Sequence, residues 1–127
     1  MQSFDYQKVY TLQEALNAAS AAKAKGTSAF LAGGTDLLVQ IKERKKQPRY
    51  VIDVKGVREL VGLTLLEDQL SIGALSCIRT LETSLSISEK VPLLAQAAAK
   101  LGSVQIRHRA TIGGNLCNAS PSADTAP

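Results

Sequence analysis

Two short segments carry residue types suited to holding a phosphate-bearing ligand: Ala32-Gly33-Gly34-Thr35-Asp36 and Thr111-Ile112-Gly113-Gly114-Asn115. Glycine admits positive φ and lets a backbone approach a ligand closely. The first segment follows an apolar stretch, Ser28-Ala29-Phe30-Leu31, and precedes Leu37, Leu38 and Ile41 at helical spacing. A strand then feeds a glycine loop that opens a helix, where unpaired N–H groups and a partial positive charge await an anion. The backbone of Gly33, Gly34, Thr35 and Asp36 is expected to cradle a phosphate or pyrophosphate, with the Thr35 hydroxyl as a further donor. Thr35 is also the expected helix cap. Asp36 would repel phosphate if it pointed inward, so it should turn toward the cap or another backbone group. The pattern is neither G-x-G-x-x-G nor a loop ending in Gly-Lys-Ser/Thr, which excludes the dinucleotide fingerprint and the P-loop. A strand-to-helix turn can hold Gly for steric reasons alone, so this segment by itself identifies nothing.

The second segment runs on through Leu116-Cys117-Asn118 and flanks its Gly-Gly pair with hydroxyl and amide groups. Asn and Thr can bond phosphate oxygens, ribose or a ring carbonyl while staying neutral, so they fix orientation without titrating. Other candidates are weaker. His108 stands between Arg107 and Arg109, with no acidic residue near it in sequence to orient it, and is read as a surface or structural residue. Cys77 and Cys117 are far apart and in no C-x-x-C spacing, so they read as reduced thiols. Lys42, Arg44, Lys45, Lys46 and Arg49 follow a helical pattern without interleaved aromatics, which favours a solvated helix end over a nucleic-acid patch.

The elements that must position these residues follow from periodicity. Thr11 and Glu14 form a capping box for a helix with Leu12, Ala15, Leu16 and Ala19 on one face, running until Gly26. Ser28–Leu31 and Tyr50–Asp53 read as strands around the first glycine loop and its helix. Val61, Leu63 and Leu65, then Leu70, Ile72 and Ala74, alternate as a hairpin turning near Glu67-Asp68. Cys77 to Leu85 reads as a short helix helped by Arg79 and Glu82. Pro92 starts a stronger one with Leu94, Ala97, Ala98 and Leu101 on one face and Gly102 as its stop. The remainder, with the second Gly-Gly pair, reads as loop.

These elements predict an α+β fold of two small mixed subdomains, 1–57 and 58–127. At 127 residues and 45% hydrophobic, with no Trp, the chain is globular with an aliphatic core. No apolar run is long enough to cross a bilayer, and Met1-Gln2-Ser3-Phe4-Asp5-Tyr6 lacks the order of a secretory signal. A cytoplasmic protein that binds neither membrane nor nucleic acid is expected.

Ala32-Gly33-Gly34-Thr35-Asp36-Leu37-Leu38 and Ala110-Thr111-Ile112-Gly113-Gly114-Asn115, followed by Ala119-Ser120-Pro121-Ser122-Ala123-Asp124, resemble the FAD-binding medium subunit of molybdenum hydroxylases of the xanthine dehydrogenase, aldehyde oxidoreductase and carbon monoxide dehydrogenase type. The resemblance spans essentially the whole chain. It implies a PCMH-type FAD-binding fold with FAD as cofactor. By motif match, Phe30, Leu31, Ala32, Gly33, Gly34, Thr35, Asp36 and Leu37 would wrap the FAD pyrophosphate. Thr111, Gly114, Asn115, Asn118 and Asp124 would line the ribityl, ribose and phosphate region, and Leu101 and Gly102 would lie near the adenine. The resemblance also implies a molybdopterin-binding large subunit and a [2Fe–2S] small subunit as partners, with electrons passing through FAD to NAD or another acceptor.

There are two departures from the family pattern. Relatives of the hydroxybenzoyl-CoA reductase type carry a cluster-binding Cys where this chain reads Pro121-Ser122, so the xanthine dehydrogenase-like branch is favoured. Family medium subunits are also more than twice this length, so the chain is expected to stop before their C-terminal domain, as a truncated form that would be inactive alone.

Overall fold

The computed structural model describes residues 2–126, which divide between two compact units, Met1–Leu60 and Val61–Pro127. The first unit runs β1 (Asp5–Lys8), α1 (Leu12–Lys23), β2 (Ser28–Leu31), α2 (Leu37–Lys42) and β3 (Tyr50–Asp53). Its three strands are parallel in the order β1-β3-β2. The central strand is the most buried, with Val51, Ile52 and Asp53 all almost inaccessible to solvent.

The two strands expected from the sequence are present, and β1 is an addition. Asp5-Tyr6-Gln7-Lys8 is exposed along its whole length. It belongs to the sheet through its backbone, in register from Asp5 opposite Tyr50 to Lys8 opposite Asp53. An edge strand held this way needs no apolar alternation, so periodicity could not find it.

Helix α1 begins as its capping box predicts, with Thr11 Oγ1 accepting from Glu14 N at 3.1 Å. The Glu14 carboxylate reaches back to the Tyr10 N–H at 2.8 Å. The buried face differs from the expected one. Ala15, Ala18 and Ala22 are buried, whereas Leu12 and Leu16 are exposed. The small side chains face β2 and β3, which α1 packs against.

Two details of α2 also correct the sequence reading. Its N-cap is Asp36 rather than Thr35, and the Asp36 side chain makes no capping hydrogen bond. Leu38 is exposed instead of pointing inward, while Ile41 is buried with Leu31 and Val51, joined by Phe4 and Leu37. The basic residues from Lys42 to Arg49 lie exposed at and beyond its end.

The second unit opens with the expected hairpin, β4 (Leu63–Leu65) and β5 (Leu70–Ile72), antiparallel with Leu63 opposite Ile72. Its helices are α3 (Ile78–Thr83), α4 (Leu85–Lys90), α5 (Pro92–Lys100), α6 (Val104–Arg109) and α7 (Ile112–Asn118). Ile78, Leu81 and Ile87 are fully buried and form a core with Ala98, Leu101, Ala110 and Ile112. Burying each of the three large side chains contributes about 1.5–3 kcal/mol.

The apolar pattern gives no signal for helices α4, α6 and α7, and the segment after Gly102, loop-like in sequence, holds two of them. Each is six or seven residues long, too short to show a period. Each is started by a hydroxyl cap: Ser84 accepts from Ile87 N at 3.4 Å, Ser103 from Ile106 N at 3.2 Å and Thr111 from Gly114 N at 3.1 Å. The caps supply locally what a long apolar face supplies elsewhere.

Candidate functional site

In the first unit, the chain leaves β2 at Leu31, turns through Ala32, Gly33, Gly34 and Thr35, and enters α2 after Asp36. Gly34 has φ +79°, a left-handed conformation that glycine adopts without strain. A Cβ there would stand 3.0 Å from Leu31 Cδ1 and 3.1 Å from Leu38 Cδ1. The Gly34 carbonyl accepts from Leu38 N at 3.1 Å and that of Asp36 from Gln40 N at 2.9 Å. Among the described residues, no backbone carbonyl accepts from the N–H groups of Gly33, Gly34, Thr35 or Asp36. The loop thus commits two of its carbonyls to α2 and keeps consecutive donors available. Asp36 is exposed, and so is Phe30 at 53% despite lying in a strand. Ala32, Gly33, Gly34, Thr35 and Leu37 are half-buried, and Leu31 is buried.

A second polar cluster in this unit was not anticipated. Asp53 ends β3 with 2% exposure. Its Oδ2 accepts from the Tyr6 hydroxyl and pairs with Lys55 Nζ at 2.8 Å, and its Oδ1 accepts from Lys55 N at 2.9 Å. Burial alone would push this carboxyl up, but the Lys55 and Tyr6 hydrogen bonds outweigh it and hold the carboxyl below its ordinary value. The same bond raises the Tyr6 hydroxyl, because its proton is held by the carboxylate. The cluster ties the edge strand to the central one.

In the second unit the Gly113-Gly114 pair lies in the first turn of α7, not in a loop. Residues 110–113 are latched alongside residues 74–78. Ile78 N donates to Ala110 O at 2.9 Å, Ile112 N to Ser76 O at 3.1 Å and Gly113 N to Ala74 O at 2.8 Å. Thr111 is buried, bridges antiparallel to Cys77, and caps α7 with its hydroxyl. Asn115 follows one turn later, and its Oδ1 accepts from the Thr125 hydroxyl. Helix α7 ends at Ala119, in the left-handed region at φ 50°, after which Ala123 N turns back to Ser120 O at 3.0 Å. Asn118 is half-buried and Asp124 exposed. The structure therefore brings Thr111, Gly114, Asn115 and Asn118 together on one short helix, with Asp124 beside the Thr125 that reaches Asn115.

Leu101 and Gly102 form the turn between α5 and α6. Leu101 is buried in the core, and Gly102 has φ +52° with Ile106 Cγ2 3.0 Å from where a Cβ would be. Arg107, in sequence no more than a neighbour of His108, is 9% exposed. Its Nη1 donates to Leu101 O at 3.2 Å and Gly102 O at 3.0 Å, and its Nε to Glu82 Oε2 at 3.0 Å. Arg79 Nη1 shares that carboxylate oxygen at 2.8 Å. The Arg79 hydrogen bond, with the Arg107 charge added, holds the Glu82 carboxyl below its ordinary value. The sequence offered only one signal for this, the Arg79–Glu82 spacing. His108 itself is exposed.

The chain is thus built of two mixed units, the first with its Gly-Gly pair between β2 and α2 and the second with its Gly-Gly pair in the first turn of α7. Over 98% of its length the chain matches a chain of carbon monoxide dehydrogenase from Hydrogenophaga pseudoflava with a TM-score of 0.92 at 31% identity, covering 42% of that chain. Residues 2–127 match the family described as FAD binding domain in molybdopterin dehydrogenase, and the chain belongs to that family. Among curated relatives it is 38% identical over 123 residues to the xanthine dehydrogenase FAD-binding subunit of Escherichia coli O157:H7, covering 95% of this chain and 41% of the relative. It is 39% identical over 124 residues to the nicotinate dehydrogenase FAD-subunit of Eubacterium barkeri, covering 98% of this chain and 42% of the relative. The chain thus spans about two fifths of the length of the relatives it matches. FAD is the cofactor of the family. Within the first unit, the donors of residues 33–36 and the left-handed Gly34 suit a phosphate-bearing ligand.

Proposed function

We propose that this chain holds FAD within a molybdenum-containing hydroxylase or dehydrogenase. The observation that carries the reading is the turn from Gly33 to Asp36, whose consecutive N–H groups are left uncommitted while the Gly34 and Asp36 carbonyls accept from α2. Such a run of donors suits pyrophosphate oxygens. Phe30 to Leu37 would provide that cradle, with subdomain 1–57 as its frame. From 58 onward, Thr111, Gly114, Asn115, Asn118 and Asp124 would bond the ribityl, ribose and phosphate region, and Leu101 and Gly102 would back the adenine. Bound FAD would supply the redox chemistry, accepting electrons from [2Fe–2S] clusters and releasing them to NAD or another acceptor. The chain's own residues bind and orient and transfer no proton. Its partners in this reading are a molybdopterin-binding large subunit and a [2Fe–2S] small subunit, in the cytoplasm. Among the described residues, no helix is long and apolar enough to cross a membrane.

The test is the absorption spectrum of the purified full-length protein. Oxidised-flavin bands that persist through gel filtration are the expected result. A colourless protein that also fails to take up added FAD would overturn the proposal.

A further inference from the structure

The Leu101–Gly102 turn is held by a charged network that touches no other proposed cofactor residue. Arg107 is almost fully buried, yet its partners at the turn are backbone carbonyls and its acidic partner, Glu82, lies on a different helix. One nitrogen, Nη1, serves two consecutive carbonyls, Leu101 O and Gly102 O. The neighbouring Nε is fixed by Glu82 on α3, and Glu82 is fixed in turn by Arg79. The turn needs such a brace. Gly102 is left-handed, and Ile106 stands close above its Cα. Leu101, the C-cap of α5, has left helical geometry at ψ 111°. Two carbonyls that α5 does not use are thereby held by the guanidinium, and their orientation sets that of the peptide planes between Leu101 and Ser103.

We infer that Arg107, anchored by Glu82, is a positioning residue for the adenine end of the cofactor, acting through the Leu101–Gly102 turn without touching the cofactor. The inference rests on the proposed placement of Leu101 and Gly102 beside the adenine. Lysine cannot replace the arrangement, because a single ammonium lacks the planar fork that reaches the carbonyls and the carboxylate at once. Glu82→Gln keeps the side-chain shape and removes the charge that orients the fork.

The experiment titrates the full-length apoprotein with FAD and, separately, with FMN, which shares the flavin, ribityl chain and first phosphate but lacks the adenylate half. Arg107→Lys, Arg107→Gln and Glu82→Gln are compared with the parent, with circular dichroism recorded for each. The expected result is FAD affinity lowered about tenfold or more, the scale of a lost charged hydrogen bond, with FMN affinity unchanged. The FAD-over-FMN preference should collapse, and Arg107→Lys should not rescue it. Equal loss of FAD and FMN affinity would show a merely structural role and overturn the inference, as would unchanged FAD affinity in all three variants. Gly102→Val separates the two layers of the argument. If it lowers FAD affinity while the Arg107 and Glu82 variants do not, the turn belongs to the site and the positioning role fails. If it too leaves FAD affinity unchanged, the placement of the turn at the adenine fails, and the inference with it.

Discussion

Gly113 lies so close to Ala74 that a Cβ built on it would sit 2.7 Å from both the Ala74 carbonyl oxygen and the Ala74 Cβ. The same pair is joined by a hydrogen bond from Gly113 N to Ala74 O at 2.8 Å. The first glycine of the second Gly-Gly pair is therefore required by packing, whatever it does for a ligand. Gly113→Ala has nowhere to put its methyl group, since the neighbouring atoms are backbone and the base of a side chain. It should destabilise the protein by about 1–3 kcal/mol, read as a lower denaturant midpoint at unchanged slope. An unchanged midpoint would show that the two segments separate more easily than their hydrogen bonding implies.

Thr111 offers a finer test of the same region. Its hydroxyl caps α7 from a buried position. Thr111→Val keeps the shape but leaves the Gly114 N–H without its acceptor, so a loss of about 1 kcal/mol is expected. Thr111→Ser should recover most of it. Thermal unfolding of the three proteins measures the difference, and equal stability of the Val and Thr forms would remove the cap from the account.

At the first glycine segment the expected effect falls on the ligand as well as the fold. Gly34→Val forces a β-branched residue into φ +79° against Leu31 and Leu38. A stability cost of about 1–2 kcal/mol should accompany loss of bound flavin, measured as the ratio of flavin to protein absorbance after gel filtration. Full flavin occupancy in a folded Gly34→Val protein would place the pyrophosphate elsewhere.

Asp53 gives a prediction in pH. Its carboxyl is held below the ordinary value in the folded protein, so the unfolded chain binds the proton more readily. The stabilisation it brings is present above the unfolded carboxyl value and is lost as pH falls through the lowered folded one. Asp53→Asn should therefore be less stable than the parent near neutrality, and the two unfolding curves should converge in acid. A gap that stayed constant with pH would assign the effect to shape instead of charge.

The sequence made much of this fold legible, and for identifiable reasons. Strands β2 and β3, the hairpin turning at Glu67-Asp68 and the Pro92 start of α5 all follow from apolar period or turn chemistry acting over a few residues. Strand β1 is invisible in the sequence because the sheet holds it by backbone pairing and its residues stay exposed, the Tyr6 hydroxyl reaching Asp53 without leaving any apolar alternation. Leucine was a poor guide on α1, where three alanines meet the sheet and Leu12 and Leu16 do not. Of the candidate site, the glycine positions were plain, but the reason for Gly113 was not, since Ala74 is remote in sequence and small. Arg107 was hidden in the same way: a buried guanidinium looks in sequence like any basic residue near a helix end.

The pairing of residues 110–113 with residues 74–78 also bears on how the second unit comes into being. That contact closes a long stretch of chain, and the loop-closure entropy is recovered only when α3, α4 and α5 have packed between its ends. The start of α7 is thus secured by long-range contacts, not by its own short sequence alone. A nascent chain would acquire the second glycine pair's geometry together with its aliphatic core, of which Ala110 and Ile112 are part.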